Sequence, residues 1–264
     1  MKTLSTFPIL VLLGISAEAA QVSANPSPSA AAIVAKIQRA DYEGDRAGLE
    51  RLYAELAPLA GSKETGSRIR YWRGFAMWRR ALNGFNDSID PKELEQDTMQ
   101  AVAEFKEALA LDPAFVDAKV AEASCLGTLM FLSQSNLPRI RELAGQYRQL
   151  MTEAKAAAPD NPRLLWVDGA NRFYQPPERG GSQTEGLAIY ARGLALARAQ
   201  SKSGNPLEPS WGEPELLMNL AWSNLHKAAP DIPAAKQYAE SALQLVPYWH
   251  YVRDILVPQI QNAK

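Results

Sequence analysis

Apolar residues beyond residue 30 recur at spacings of three and four, which is the period of an amphipathic α-helix. Segments with this period alternate with short stretches rich in proline, glycine, asparagine and aspartate. These residue types end helices or form their first turn. Long alternating runs of β-branched and aromatic residues, which are typical of strands, are absent from the sequence. The pattern therefore predicts an all-α protein.

The helix-breaking stretches divide the chain into five helix hairpins and one last helix. The predicted pairs are 30–43 with 46–60, 66–82 with 91–112, 114–134 with 138–158, 162–175 with 183–200, and 211–228 with 232–246, and the last helix covers 248–262. Hairpins that recur every 40 to 50 residues or so are typical of a solenoid, in which each repeat packs on the next. We therefore predict an α-solenoid of about five antiparallel hairpins with a C-terminal capping helix.

Small, aromatic and proline residues recur at fixed spacing where several hairpins close. The sets are Ala101, Phe105, Ala108, Leu109, Leu111 and Pro113; Ala235, Ala239, Ala242, Leu243, Leu245 and Pro247; and Gly186, Tyr190, Gly193, Leu194 and Leu196. They resemble the closing half of the tetratricopeptide repeat, A-x3-F-x2-A-L-x-L-x-P, and Trp166, Gly169, Ala170 and Phe173 resemble its opening half. The chain is thus similar to divergent exported tetratricopeptide-repeat proteins of bacteria.

The resemblance implies that the first helix of each hairpin faces a concave groove that binds an extended peptide. If Ala76, Ala121, Ala170 and Ala221 are equivalent packing residues, helical spacing places one stripe of each first helix in that groove. The predicted binding residues on these stripes are Arg70, Arg73, Met77, Arg80, Asn171, Tyr174 and Trp222. The stripe of the third hairpin contains Phe115, Ala118, Glu122 and Cys125.

Three arginines on one helical stripe form the most specific candidate site in the sequence. Arg70, Arg73 and Arg80 could hold a carboxylate or phosphate through forked hydrogen bonds while neighbouring aromatic residues take apolar side chains. The alternative is that these arginines cover a solvated face or pair with acidic residues of the following loop, such as Glu93. Glu122 departs from the basic pattern of family members that clamp a peptide carboxylate.

Residues that would support catalysis are scarce. His226 and His250 are the only histidines, and neither has the nucleophile or the further ligands that a hydrolytic triad or a zinc site needs. Cys125, the only cysteine, falls among small apolar residues and is predicted to be a buried hydrophobe. No phosphate-binding or dinucleotide-binding glycine motif is present. We therefore expect no enzyme activity, no metal site and no cofactor.

The N-terminus and the charge balance bear on location and partners. Residues 1–19 have the basic end, the apolar stretch and the small-residue cleavage site of a signal peptide, and residues 20–29 are predicted to be a flexible tether before the repeat domain of residues 30–264. We expect cleavage after Ala19, a periplasmic or secreted protein and no stable membrane insertion. With 28 Lys+Arg against 29 Asp+Glu, the chain lacks the basic excess of a nucleic-acid-binding protein.

These observations together predict a periplasmic, non-catalytic scaffold that binds a peptide or partner protein in its concave groove. The alternative is an accessory solute-binding component of a transporter that holds a small organic anion. The arginine stripe and the segment Pro176–Gly181, which resembles a loop of divergent periplasmic family members, favour that alternative. The apolar last helix is expected to cap the array, or to mediate self-association if its apolar surface is exposed.

Overall fold

The computed structural model describes residues 29–200 and 203–263, and all regular structure in these ranges is helical. The helices are α1 (Ala30–Glu43), α2 (Arg46–Glu55), α3 (Gly66–Gly84), α4 (Pro91–Leu111), α5 (Val116–Leu132), α6 (Leu137–Ala157), α7 (Pro162–Tyr174), α8 (Gln183–Ala199), α9 (Glu213–His226), α10 (Ile232–Leu245) and α11 (Val257–Asn262). The all-α prediction and the five predicted pairs are confirmed. The main difference inside the pairs is that α2 ends at Glu55, followed by a 3-10 turn, Ala57–Leu59.

Local sequence explains why the helices begin where they do. Many are capped by a side-chain oxygen that accepts a hydrogen bond from a backbone N–H of the first turn, and several have proline there. The capping residues are Ser29, Asp45, Asp90, Asn136, Asn161, Ser182 and Asp231. Proline lies in the first turn of α4, α6, α7, α9 and α10. The residues that marked the helix boundaries in the sequence therefore satisfy the helix ends in the structure.

Consecutive helices pack as antiparallel hairpins, and the first helices of successive hairpins form an inner layer. The most extensive contacts are those within the pairs α3–α4, α5–α6, α7–α8 and α9–α10. Helices α3, α5, α7 and α9 also contact one another in order, and α1 contacts α3. The inner layer is therefore the surface on which residues from several repeats meet.

Two hairpins share one packing device, in which a glycine of the first helix faces an aromatic ring of the second. A Cβ atom added to Gly74 would lie 2.8 Å from the Phe105 ring, and one added to Gly169 would lie 2.6 Å from the Tyr190 ring. Phe105 and Tyr190 are both buried. The missing side chain lets the helices approach closely, and the ring fills the space between them.

The first and last hairpins of the array contact each other. The Tyr42 ring of α1 packs edge-on against Trp249, with ring centroids 5.0 Å apart, and the Tyr42 hydroxyl donates a hydrogen bond to Glu215 of α9 at 2.8 Å. Asp41, also on α1, forms an ion pair with Arg79 of α3, with the carboxylate oxygen 2.8 Å from Nε. The solenoid therefore closes on itself.

The segment between α8 and α9 turns inward and fills the space beside α3. The carbonyl of Leu207 accepts a hydrogen bond from the Trp72 indole at 2.8 Å, and the Trp211 indole donates one to the Tyr71 hydroxyl at 2.7 Å. The Trp211 ring packs against Trp78, with centroids 5.6 Å apart. Both Leu207 and Trp211 are buried, so the chain itself occupies this part of the inner face.

The last helix differs from the predicted uninterrupted helix over 248–262. Residues Tyr251–Leu256 form a π-helical turn, and α11 follows it. Pro258 has no N–H to donate to the carbonyl of Asp254, and the wider turn lies just before it. Its apolar residues Trp249, Val252, Leu256 and Ile260 are buried in the chain's own core. This burial supports the capping role and covers the face that self-association would need.

The predicted signal peptide and residues 20–28 of the predicted tether lie outside the described residues. Ser29, the last residue of the predicted tether, caps α1. Across residues 29–200 and 203–263, no helix combines the length and the apolar character that crossing a bilayer requires.

Candidate ligand-binding cavity

A large open cavity, about 1300 Å³ in volume, lies on the inner face of the solenoid. The first helices α3, α5, α7 and α9 form most of its walls, and α6 adds one side. Trp249 and Tyr251 close the C-terminal end. The cavity therefore depends on the pairing of four hairpins and on the capping segment.

Aromatic side chains make up much of the cavity wall. They are Phe85, Phe131, Tyr147, Trp166, Tyr174, Trp222, Trp249 and Tyr251. Phe131 and Tyr174 are 59% and 60% exposed, and because both line the same cavity they contribute to one exposed apolar patch. The rings of Tyr174 and Trp222 lie 5.4 Å apart, and those of Phe85 and Phe131 lie 6.0 Å apart. Such walls offer flat faces and edges to an aromatic ligand.

Two polar atoms on uncharged side chains of the wall are buried without a hydrogen-bond partner in the described structure. They are the Tyr147 hydroxyl on α6 and the Trp166 indole nitrogen on α7. Burial raises the pKa of Tyr147 above its ordinary value, and the negative charge of Asp168 adds to this effect. The phenol is therefore neutral at physiological pH and can donate a hydrogen bond. Unsatisfied donors of this kind are costly unless something binds them.

The charged residues of the cavity are all arginines. Arg79, Arg148 and Arg179 line it, and no aspartate or glutamate does so in the described part of the chain. Burial alone would lower the pKa of Arg79, but the charges of Asp41 and Glu215 outweigh burial and raise it. Arg79 is thus permanently charged and paired, whereas Arg148 and Arg179 lie at the exposed rim. The wall is apolar with a positive rim.

The structure brings only part of the predicted binding stripe into the cavity. Asn171, Tyr174 and Trp222 line it, as do Val167 and Met218 from the same stripes. A binding role for these residues stays a prediction. Their position on the inner face is the one that the repeat pattern indicated for the fourth and fifth hairpins.

The predicted residues of the second hairpin face the other way, toward α2 and α4. Arg70 and Arg73 both pair with Glu104 of α4, at 3.0 and 2.8 Å, and Arg73 also lies over the ring of Tyr53 of α2. Met77 is buried in the core. These side chains lie away from the cavity.

Arg80 likewise pairs with carboxylates of α4. It pairs with Asp97 and, at 3.1 Å, with Glu93. Pairing of the arginines with nearby acidic residues such as Glu93 was the alternative to a binding site that the sequence left open. Because Arg70, Arg73 and Arg80 are all engaged in ion pairs, the predicted three-arginine site is not assembled on the inner face.

A difference of one residue in repeat alignment explains the displaced stripe. The repeat pattern predicts that Ala76 is equivalent to Ala170, but the shared packing device makes Gly74 equivalent to Gly169. On that alignment Tyr174 corresponds to Arg79, which lines the cavity, and no longer to Arg80. One residue along an α-helix is a rotation of about 100°, enough to turn a side chain from the inner to the outer face.

The third hairpin shows a similar displacement. Phe115, Ala118, Glu122 and Cys125 are buried between helices, and α5 instead presents Ser124, Gly127, Thr128, Met130 and Phe131 to the cavity. The exposure of Phe131 marks this face in the structure, but no feature of the sequence does so. Apolar residues lie on all sides of α5, so hydrophobic periodicity does not predict which way Phe131, near the end of this helix, is oriented.

The histidines and the cysteine lie outside the cavity wall. The His226 ring stacks on Trp222 at 4.0 Å, with Nδ1 2.9 Å from the Trp222 carbonyl oxygen, and His250 contacts Asp254 at 2.8 Å. Cys125 is buried, and burial raises the pKa of its thiol. Within the described ranges, no group of three or more histidine, cysteine, aspartate or glutamate side chains is arranged to hold a metal ion.

Comparison with known proteins bears on the fold. No protein-family model and no curated protein matches the chain. Among solved structures, the chain is similar to the HusA haemophore from Porphyromonas gingivalis, with a TM-score of 0.58 and 17% sequence identity. The match covers 75% of this chain and 95% of that chain. At this identity the similarity concerns the helical architecture.

Proposed function

We propose that this protein is a non-catalytic binding protein whose cavity takes a large, flat, apolar ligand of the tetrapyrrole class, such as haem. The observation that carries the proposal is the aromatic cavity of about 1300 Å³ on the inner face. Pockets for small molecules usually measure about 300 to 1,000 Å³, so this cavity exceeds the usual range and has room for a large ligand. Exposed rings at its rim, Phe131 and Tyr174, can stack on a planar ligand.

The fold similarity supports the same ligand class. The neighbour is by its name a haemophore, and the similar architecture extends over nearly the whole of that protein. Fold alone does not transfer function, because unrelated sites are built on shared architectures. The proposal therefore depends on the cavity of this chain, and the neighbour supports only the choice of ligand.

The peptide-scaffold hypothesis from the sequence is less well supported by this geometry. An extended peptide needs a continuous groove across several repeats. Beside α3 that space is filled by the chain's own Leu207 and Trp211, which are buried and hydrogen-bonded there. The alternative of a small organic anion agrees with the arginines of the wall, but such a ligand would leave most of the cavity filled by water.

We further infer that the repeats are of the tetratricopeptide type and that the protein acts outside the cytoplasm. The paired contacts of Gly74 with Phe105 and of Gly169 with Tyr190 support the first inference, because the family packs small residues against an aromatic in this way. The signal-like pattern of residues 1–19 supports the second. Both fit a carrier that collects its ligand beyond the inner membrane.

Titration with haemin tests the proposed ligand class. We expect saturable binding, seen as a shift of the haemin absorbance band and quenching of tryptophan fluorescence, because Trp166, Trp222 and Trp249 line the cavity. Replacing Tyr174 or Trp222 with alanine should weaken binding at least about fivefold, since a stacked aromatic pair contributes about 1 kcal/mol beyond its buried area.

Tyr238→Ala is the matched control, because Tyr238 lies on α10 away from the cavity. Its affinity for haemin should equal that of the natural chain. Non-saturable uptake of haemin, or equal affinity in all three variants, would refute the proposed site.

A further inference from the structure

The two exposed arginines that line the cavity lack an ion-pair partner in the described structure. Most arginines in residues 29–200 and 203–263 pair with a carboxylate. The exceptions in these ranges are Arg51, Arg141, Arg148 and Arg179. Two of the exceptions, Arg148 and Arg179, line the cavity.

Both rim arginines lie in helical segments. Arg148 lies on α6, one residue after Tyr147, which also lines the cavity. Arg179 ends the 3-10 turn Pro177–Arg179, and Gly180 follows it with a φ of 88°, a conformation that favours glycine. The N–H of Gly181 donates a hydrogen bond to the Pro176 carbonyl at 3.0 Å and holds this turn.

We infer that Arg148 and Arg179 bind acidic groups of the ligand, so that the cavity selects apolar ligands that carry a negative charge. This inference rests on the proposed function in that it concerns the same cavity, but it does not require a tetrapyrrole. A guanidinium presents a planar fork that matches carboxylate, sulfonate and phosphate oxygens. No carboxylate of the described wall competes for these forks, and the third arginine of the wall, Arg79, already pairs with Asp41.

The selectivity can be measured with two fluorescent probes that share one aromatic framework. 8-Anilinonaphthalene-1-sulfonate carries a sulfonate, and N-phenyl-1-naphthylamine is neutral. The natural chain should bind the sulfonate probe more tightly, and the double variant Arg148→Gln/Arg179→Gln should lose about tenfold in affinity for it, given the modest strength of exposed charge pairs. Affinity for the neutral probe should stay unchanged.

Arg141→Gln is the control, because Arg141 lies on α6, has no ion-pair partner in the described structure and does not line the cavity. It should leave the affinity for both probes unchanged. Added salt should weaken binding of the sulfonate probe to the natural chain much more than to the double variant.

Equal affinity of the natural chain for both probes, or an equal loss in Arg141→Gln and the double variant, would overturn the inference. The haemin titration separates this failure from that of the proposed function. Haemin binding without charge selectivity refutes the role of the arginines alone. Charge-selective probe binding without haemin binding refutes the tetrapyrrole ligand alone.

Discussion

Glu122 on α5 is 4% exposed, and the structure gives it no ion-pair partner among the described residues. Burial raises the pKa of its carboxyl group to about 7, while the charge of Lys106 opposes the shift. The ordinary value is 4.5, so the unfolded chain loses this proton at lower pH than the folded chain does. Stability should therefore fall as pH rises from about 4.5 to about 7 and level off above that range.

Glu122→Gln removes this pH dependence, because glutamine has the same shape and does not ionise. We expect the variant to match the natural chain at pH 5 and to gain on the order of 2 kcal/mol over it at pH 8, from the size of the pKa shift. Urea unfolding at both pH values measures the difference. Glu240→Gln, on an exposed helix face, serves as control. A gain that is the same at pH 5 and pH 8 would contradict the assignment.

At the scale of helices, local sequence decided the element boundaries but not the rotation of each helix. Caps such as Asp90 and Asn161, with the prolines that follow them, place helix ends through short-range hydrogen bonds. The face that each helix turns inward depends on packing against its neighbours. In α3 nearly every apolar residue is buried, so no stripe is marked by hydrophobicity, and the contact of Gly74 with Phe105 sets the rotation.

Gly169→Ala tests this packing device directly. The added methyl group would lie 2.6 Å from the ring of Tyr190, which is buried and has little room to move. We expect a loss of about 1 to 3 kcal/mol in the free energy of unfolding, the usual cost of overpacking a core. Gly145→Ala on α6 is the matched control, because a Cβ there meets nothing within 4 Å. That variant should gain up to about 1 kcal/mol from helix propensity.

The two glycine variants are best compared by thermal and urea unfolding in parallel. A destabilisation shared by both would reflect a general effect of alanine and would contradict the proposed close approach of α7 and α8. Opposite signs are expected, because only one of the glycines lies at a helix–helix contact.

At the scale of the whole molecule, the cavity depends on closure of the solenoid between its first and last hairpins. The buried pair of Asp41 and Arg79 lies at this closure, with Asp41 2% and Arg79 5% exposed. Glu215 of α9 is also buried there, and its pKa is raised by burial, although the charge of Arg79 opposes this. Charges from three hairpins thus meet in one buried cluster next to the cavity.

Asp41→Asn leaves the Arg79 guanidinium buried without its carboxylate. We expect a loss of about 3 to 5 kcal/mol in the free energy of unfolding, as is typical when one partner of a buried pair is removed. Asp160→Asn is the control, since Asp160 forms an exposed pair with Arg192 and should cost less than about 1 kcal/mol. Equal effects of the two substitutions in urea unfolding would show that closure does not depend on the buried pair.

The sequence by itself determined the helices and their pairing, because caps, prolines and helical periodicity act over a few residues. It also identified Asn171, Tyr174 and Trp222 on the inner face. Tertiary structure alone decided the rest. Which face of α3 and α5 turns inward, where the linker residue Trp211 lies and which arginines are paired all depend on contacts between residues far apart in the chain. Arg70, Arg73 and Arg80 show the consequence, because a one-residue difference in alignment turns a helix by about 100° and changes a predicted binding site into an ion-paired layer.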